Sequence, residues 1–222
     1  MENYKIMKKI FIVITLIVYS ICGFTQTEAE HNDKSKGILE KVSNAYQKNK
    51  TTKFNFKLTI LSEDINETQE GYALLQGDNF FYKTEEREVI CDGNSVWTYL
   101  PDDNECYIDL LEDLENTINP NEIFTIWKEG FKFQYIGEKT INNELIHQIK
   151  MFPKSPEKSK YHTLLMEINE TNSSIKQAII KSKDGVTIQF EILQLTSNPS
   201  LENNTFKWDI NKHPNVDEID NR

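Results

Sequence analysis

Four histidines, three cysteines and many carboxylates are the groups in this sequence able to do chemistry, and their spacing argues against catalysis. His31, His147, His162 and His213 are scattered, none at metal-ligand spacing from another His or a Cys. No G-x-S-x-G turn, H-E-x-x-H helix or phosphate-cradling glycine loop occurs in a chain with 8 glycines. The acidic runs Glu85-Glu86 and Asp102-Asp103 fall in predicted turns and read as solvated loops. No enzymatic activity, metal or cofactor is expected. The residues that stand out are apolar: 12 Phe, 9 Tyr and 3 Trp, enough to build a core and to line a cavity.

The cysteines bear on export. Lys8-Lys9 precede an apolar run from Ile10 to Tyr19, too short for a comfortable membrane span, and polar Thr25-Gln26-Thr27-Glu28 follow. A signal peptide over residues 1–26 is expected, with one domain over 27–222. Cys22 raises the question of lipidation, but Tyr19 and Ile21 match a lipobox poorly. Cys91 and Cys106 could pair in an exported protein. The strand reading puts them on strands separated by a third, so two free, buried thiols are expected. The formal net charge is −10, and residues 1–26 carry Lys5, Lys8 and Lys9 against Glu2, so the remainder is more acidic still. That balance disfavours nucleic acid or an anionic membrane surface as a partner; it suits a basic docking patch, or simply solubility.

The elements follow from periodicity. Ile38, Leu39, Val42, Ala45 and Tyr46 make one apolar stripe, so a helix is predicted over Ser35–Asn49 with Ser35 as N-cap. From Lys53 the period changes to two, with Phe54, Phe56, Leu58 and Ile60 on one face. A strand led by Gly71 is read with Tyr72, Leu74 and Gln76 on one face. Turns at Gly77-Asp78, Asp92-Gly93 and Pro101–Asn104 then divide a meander ending at Leu110. Asn119-Pro120 predicts a second, unusually apolar helix carrying Ile123, Phe124, Ile126 and Trp127 and ended by Gly130. Strand signals resume over Phe131–Ile136, Leu145–Phe152, Tyr161–Ile168, Ser174–Lys181, Val186–Leu195 and Thr205–Trp208; the tail after Pro214 reads as poorly ordered. The expected fold is mainly β: a curved antiparallel sheet of about 11 strands, an unclosed barrel or half-barrel, with helices capping its concave apolar face.

Three stretches carry a family resemblance. Gly71-Tyr-Ala-Leu-Leu is followed by Cys91-Asp-Gly-Asn-Ser-Val-Trp97-Thr-Tyr99. Asn119-Pro-Asn-Glu-Ile-Phe124 comes next, then Phe206-Lys-Trp208 and Pro214-Asn-Val-Asp-Glu-Ile-Asp220. In order and spacing they resemble the outer-membrane lipoprotein carrier proteins of the LolA type, over nearly the whole exported chain. The resemblance implies an unclosed barrel with a helical lid over an apolar cavity. It implies that acylated lipoproteins are taken from an inner-membrane lipoprotein-releasing ABC transporter, carried across the periplasm as cargo of a monomer, and passed to an outer-membrane acceptor or the membrane itself. Where the family carries an Arg-Pro pair that closes the lid, this sequence has Gln76-Gly77; either Gln76 is a weaker, uncharged latch or it is structural and the latch lies elsewhere.

Each CH₂ kept out of water is worth about 0.8 kcal/mol, so a lipid anchor needs a groove rather than a catalyst. The candidate acyl-chain lining is Phe54, Phe56 and Leu58, then Tyr72 and Leu74, then Trp97 and Tyr99, with Ile123, Phe124 and Trp127 on the lid; the alternative is that these form a packed core. A different use of the same fold is a sensor or scaffold for lipidated proteins, itself anchored through Cys22. A hydrolase is the remaining alternative.

Overall fold

The computed structural model describes residues 30–113 and 120–222. Helix α1 covers residues 30–47, and its buried stripe is Ile38, Leu39 and Val42. Ser35 is not the N-cap. The helix begins at least five residues earlier, and Ser35 Oγ donates back to the His31 carbonyl at 2.7 Å, the way a mid-helix serine satisfies its hydroxyl.

Twelve strands follow: β1 (Thr52–Leu61), β2 (Asn66–Gln76), β3 (Asn79–Lys83), β4 (Glu88–Cys91), β5 (Ser95–Leu100), β6 (Glu105–Leu110), β7 (Phe131–Ile141), β8 (Glu144–Pro153), β9 (Tyr161–Asn169), β10 (Ser174–Ser182), β11 (Thr187–Ser197) and β12 (Asp217–Asp220). They form one sheet in the order β12-β6-β5-β4-β3-β2-β1-β11-β10-β9-β8-β7. The sheet is a meander folded in half: β1 pairs with both β2 and β11, so chain-distant strands meet at its centre. β7 and β12 end the order unpaired with one another, so the barrel is not closed.

Each strand of the meander is set by its turn. Asn142 and Asn143 both take positive φ, 50° and 63°, the twist that matches a two-residue hairpin; this carries β7 and β8 past the expected ends. Gly71 is required for a different reason. A Cβ there would lie 2.2 Å from the Lys83 carbonyl oxygen and 2.9 Å from the Phe56 ring. The opposite residue in the ladder is Phe56, whose ring lies over the bare glycine.

Three expectations about the ends of elements are corrected. The second helix is two short 3-10 turns, Glu122–Phe124 and Ile126–Lys128, interrupted at Thr125 with φ −132° and ψ −16°. Its expected cap, Asn119, lies outside the described residues. Eleven residues between Pro120 and Gly130 are too few for an autonomous helix, and burial of Phe124 and Trp127 dictates the local path. Thr205–Trp208 is not a strand: turns at Thr205 and Lys207 place Phe206 against the sheet as part of a strap. The tail is ordered, and its Asp217–Asp220 pairs in parallel with β6.

Candidate functional site

The sheet has two apolar faces of unequal size. On the inner face, α1 lies over Phe54, Phe56, Ala73, Leu75, Phe80 and Val89 from one half of the meander and over Ile149, Met151, Leu164, Met166 and Phe133 from the other. On the outer face a smaller group, Phe81, Ile90 and Phe206 with Tyr72, Leu74 and Trp97, is covered by Leu201 and Trp208 of the C-terminal strap. Strand alternation decides which residue goes where. Ala73 stands opposite Phe54 and points inward, so Tyr72 and Leu74 point out.

This parity sorts the candidate lining. Phe54, Phe56 and Leu58 face inward, and Phe124, Trp127 and Ile123 join them from the connecting segment. Tyr72, Leu74 and Trp97 lie on the outer face. Tyr99 is there too, its ring 5.7 Å from Trp208 and 4.3 Å from His213. A slip of one residue moves a side chain to the other face, and in β2 the large residues are the outward ones because Gly71 and Ala73 leave inner space for Phe56 and Phe54. Gln76 is exposed at the β2–β3 turn.

The cover is built from α1 and the two 3-10 turns, joined by buried polar contacts. Ser43 Oγ donates to the Phe124 carbonyl at 2.7 Å and accepts from Trp127 Nε1 at 3.0 Å. Tyr46 stacks on Phe124 with ring centroids 4.1 Å apart and donates to Asn121 Oδ1. Burial pushes the Tyr46 phenol up to about 12. Below the cover, Phe124 meets the edge of Phe54 at 6.2 Å, and Trp127 meets Phe133 at 6.5 Å. Ser43 gave no signal in the sequence beyond a small polar residue beside an apolar stripe.

A polar cluster fastens the other end of α1 to β7 and β8. Lys34 Nζ lies 3.9 Å over the Tyr135 ring and 3.3 Å from Glu138. Tyr135 Oη donates to Glu138 at 2.8 Å and lies 2.9 Å from Nδ1 of buried His147. Bonds from Tyr135 and then Lys34 hold the Glu138 carboxyl below its usual range. These contacts tie α1 to β7, away from the β2–β3 turn that carries Gln76. The sequence hid this because β7 carries a bulge at Ile136, which brings Glu138 into register with His147.

Where the cover stops, an apolar cavity of about 160 Å³ opens at the far end of β1. Phe54, Phe56, Leu58, Ile60, Tyr82 and Phe190 form its walls, with Pro120 beside them and Gln69, Thr84 and Arg87 at its polar side. At about 30 Å³ per water, the space holds ~5 waters, a short stretch of one acyl chain rather than a whole lipoprotein anchor. A smaller space of about 70 Å³ lies beside α1 between Val42, Tyr46, Phe124 and Leu195. Ile60, Phe190 and Arg87 were absent from the sequence-derived lining; the pairing of β1 with β11 that brings Phe190 opposite Leu58 is a contact across more than 130 residues.

Both Cys91 and Cys106 are free and buried, on strands separated by β5. Among the described residues no cluster of three or more His, Cys, Asp or Glu could hold a metal, and no helix is long and apolar enough to cross a membrane. The expected signal peptide and Cys22 lie outside the described residues.

Several known proteins are similar to this chain. An uncharacterized protein of Methanocaldococcus jannaschii is 22% identical over 93% of this chain, which spans 58% of that relative's length. A crystal structure of an uncharacterized conserved protein from Thermus thermophilus superposes with a TM-score of 0.58 at 9% identity, over 84% of this chain and 99% of that one. A LolA superfamily protein from Nitrosomonas europaea aligns at a TM-score of 0.43 and 13% identity, over 78% and 97% of the two chains. The family model described as outer membrane lipoprotein carrier protein LolA matches residues 47–209, from the end of α1 through the C-terminal strap. This chain belongs to that family.

Proposed function

We propose that this protein is a periplasmic carrier that binds the acyl chains of lipoproteins and moves them from the inner to the outer membrane. It receives its cargo from an inner-membrane lipoprotein-releasing ABC transporter and delivers it to an outer-membrane acceptor or the membrane itself. The observation that carries the reading is the cover: α1 and the 3-10 turns lie together on an apolar sheet face, and a cavity already opens at its margin. Displacing the cover exposes Phe54, Phe56 and their neighbours to acyl chains, exchanging one set of apolar contacts for another. Such an exchange is nearly neutral in free energy, which loading and release both require. Nothing in this role calls for a catalytic group. Residues 1–26 act as the export signal, and 27–222 form the working domain.

The test is release of a fluorescently labelled triacylated lipoprotein from spheroplasts. A soluble complex of one carrier with one lipoprotein is expected, and its acyl chains should protect the inner face from hydrogen exchange. Failure to release any lipoprotein, with no binding of a triacylated lipopeptide, would overturn the proposal. Mass spectrometry of the exported N-terminus separates cleavage near Gln26 from an anchor on Cys22.

A further inference from the structure

The chain has two arginines in an otherwise acidic sequence. Arg222 closes on Asp220 at 2.7 Å. Arg87 does not close on anything comparable. It sits on the exposed turn between β3 and β4, is the one charged residue among those lining the 160 Å³ cavity, and makes no side-chain hydrogen bond or ion pair among the described residues. The acidic residues around it have their own partners: Glu86 accepts from Gln69 Nε2, and Glu88 pairs with Lys83 at 2.9 Å, leaving Glu85 exposed at the turn. Its backbone is fixed, since the Arg87 carbonyl accepts from Thr84 N at 2.9 Å and its own N–H reaches Thr84 Oγ1 at 3.3 Å. Arg87 lies among the cavity's lining residues with Tyr82, whose phenol is pushed up by burial while the Arg87 charge pulls against that shift.

A guanidinium with no side-chain partner among the described residues, beside an apolar cavity, is a matched pair of features. Guanidinium presents two parallel N–H donors to a carboxylate or phosphate, and is the cation that best tolerates partial desolvation. Besides Arg87, the polar groups among the lining residues are Gln69, Thr84 and the Tyr82 phenol, and the space suits one narrow chain.

From this geometry we infer that the cavity takes a single-chain amphiphile with an anionic head, its first methylenes against Phe56, Leu58, Ile60 and Phe190 and its carboxylate or phosphate on Arg87. This rests on the acyl-binding reading and adds to it a charge preference that a neutral acyl group would not show. The head stays at the mouth in contact with water, so Arg87 selects without having to be buried.

The experiment is competition for a cavity-bound fluorescent acyl probe by three ligands of equal chain length: a fatty acid, a lysophosphatidic acid and an uncharged monoacylglycerol. The wild-type chain should prefer both anions over the monoacylglycerol by about tenfold, the lower end of what a charge-assisted hydrogen bond contributes. Arg87→Gln should erase that preference, Arg87→Lys should keep part of it, and Arg222→Gln should keep all of it. Competition by the fatty acid alone assigns a carboxylate head, and competition by both anions assigns the shared anionic chemistry. Equal competition by all three, unaltered in Arg87→Gln, overturns the anionic head while acyl binding stands. No competition by any of them, with no probe bound, overturns both.

Discussion

Replacing Ser43 with alanine asks whether the cover is a gate. The Ser43 hydroxyl is buried at 3% exposure and joins α1 to both 3-10 turns through its bonds to Phe124 and Trp127. Each such bond contributes about 0.5–1.5 kcal/mol net. The loss is partial, because Trp127 Nε1 keeps a second acceptor in the Phe124 carbonyl at 3.2 Å. Alanine also returns about 0.5 kcal/mol of helix propensity. The balance is about 1 kcal/mol against docking of the cover, a factor of about five in its open fraction. If the cover must lift for acyl chains to enter, apparent affinity rises by the same factor. The assay is titration with a fluorescent acyl probe beside hydrogen exchange of residues 30–47 and 120–130. Ser43→Ala should exchange faster in both segments and bind about fivefold more tightly. Faster exchange with unchanged or weaker binding would refute the gate, since the cover would then have loosened without exposing the site.

Gly71→Ala forces a Cβ to 2.2 Å from a backbone oxygen, so a loss of about 3 kcal/mol is expected in denaturant unfolding, at the upper end for overpacking. Removing residues 217–222 takes β12, whose Glu218 stands opposite Cys106, off β6, and should expose the now fully buried thiol. Burial, then Glu218 and Glu88, push that thiol up to about 12. Its alkylation should accelerate by on the order of tenfold for each pH unit by which the thiol recovers, while Cys91 in the inner core stays protected. The pH dependence has a definite sign. Cys106 and Cys91 are both raised above 9.0 by burial, so from pH 9 toward 12 the unfolded chain loses thiol protons that the folded chain keeps. Stability is therefore full below pH 9 and falls as pH rises through that window, and Cys106→Ala should flatten the slope in urea titrations.

Periodicity by itself was enough to determine that this chain makes hairpin strands beneath an amphipathic helix. The two-residue alternation of Phe54, Phe56, Leu58 and Ile60 survives any choice of partner, and turns such as Asp92-Gly93 are local. What it left open is which face is inside. Tyr72, Leu74, Trp97 and Tyr99 look like lining because they are large and alternate, yet they lie outward: the inner face at Gly71 and Ala73 is already occupied by the Phe56 and Phe54 rings. The polar cluster on α1 and the cavity depend on contacts that no window of sequence contains. Lys34 meets Glu138 across 104 residues, and Phe190 reaches Leu58 by the pairing of β11 with β1. A bulge in β7 sets Glu138 opposite His147, and short turns rather than a helix carry Phe124 and Trp127. Local backbone preference decides the strands; side-chain volume and long-range register, which exist only once the sheet has folded back on itself, decide the site.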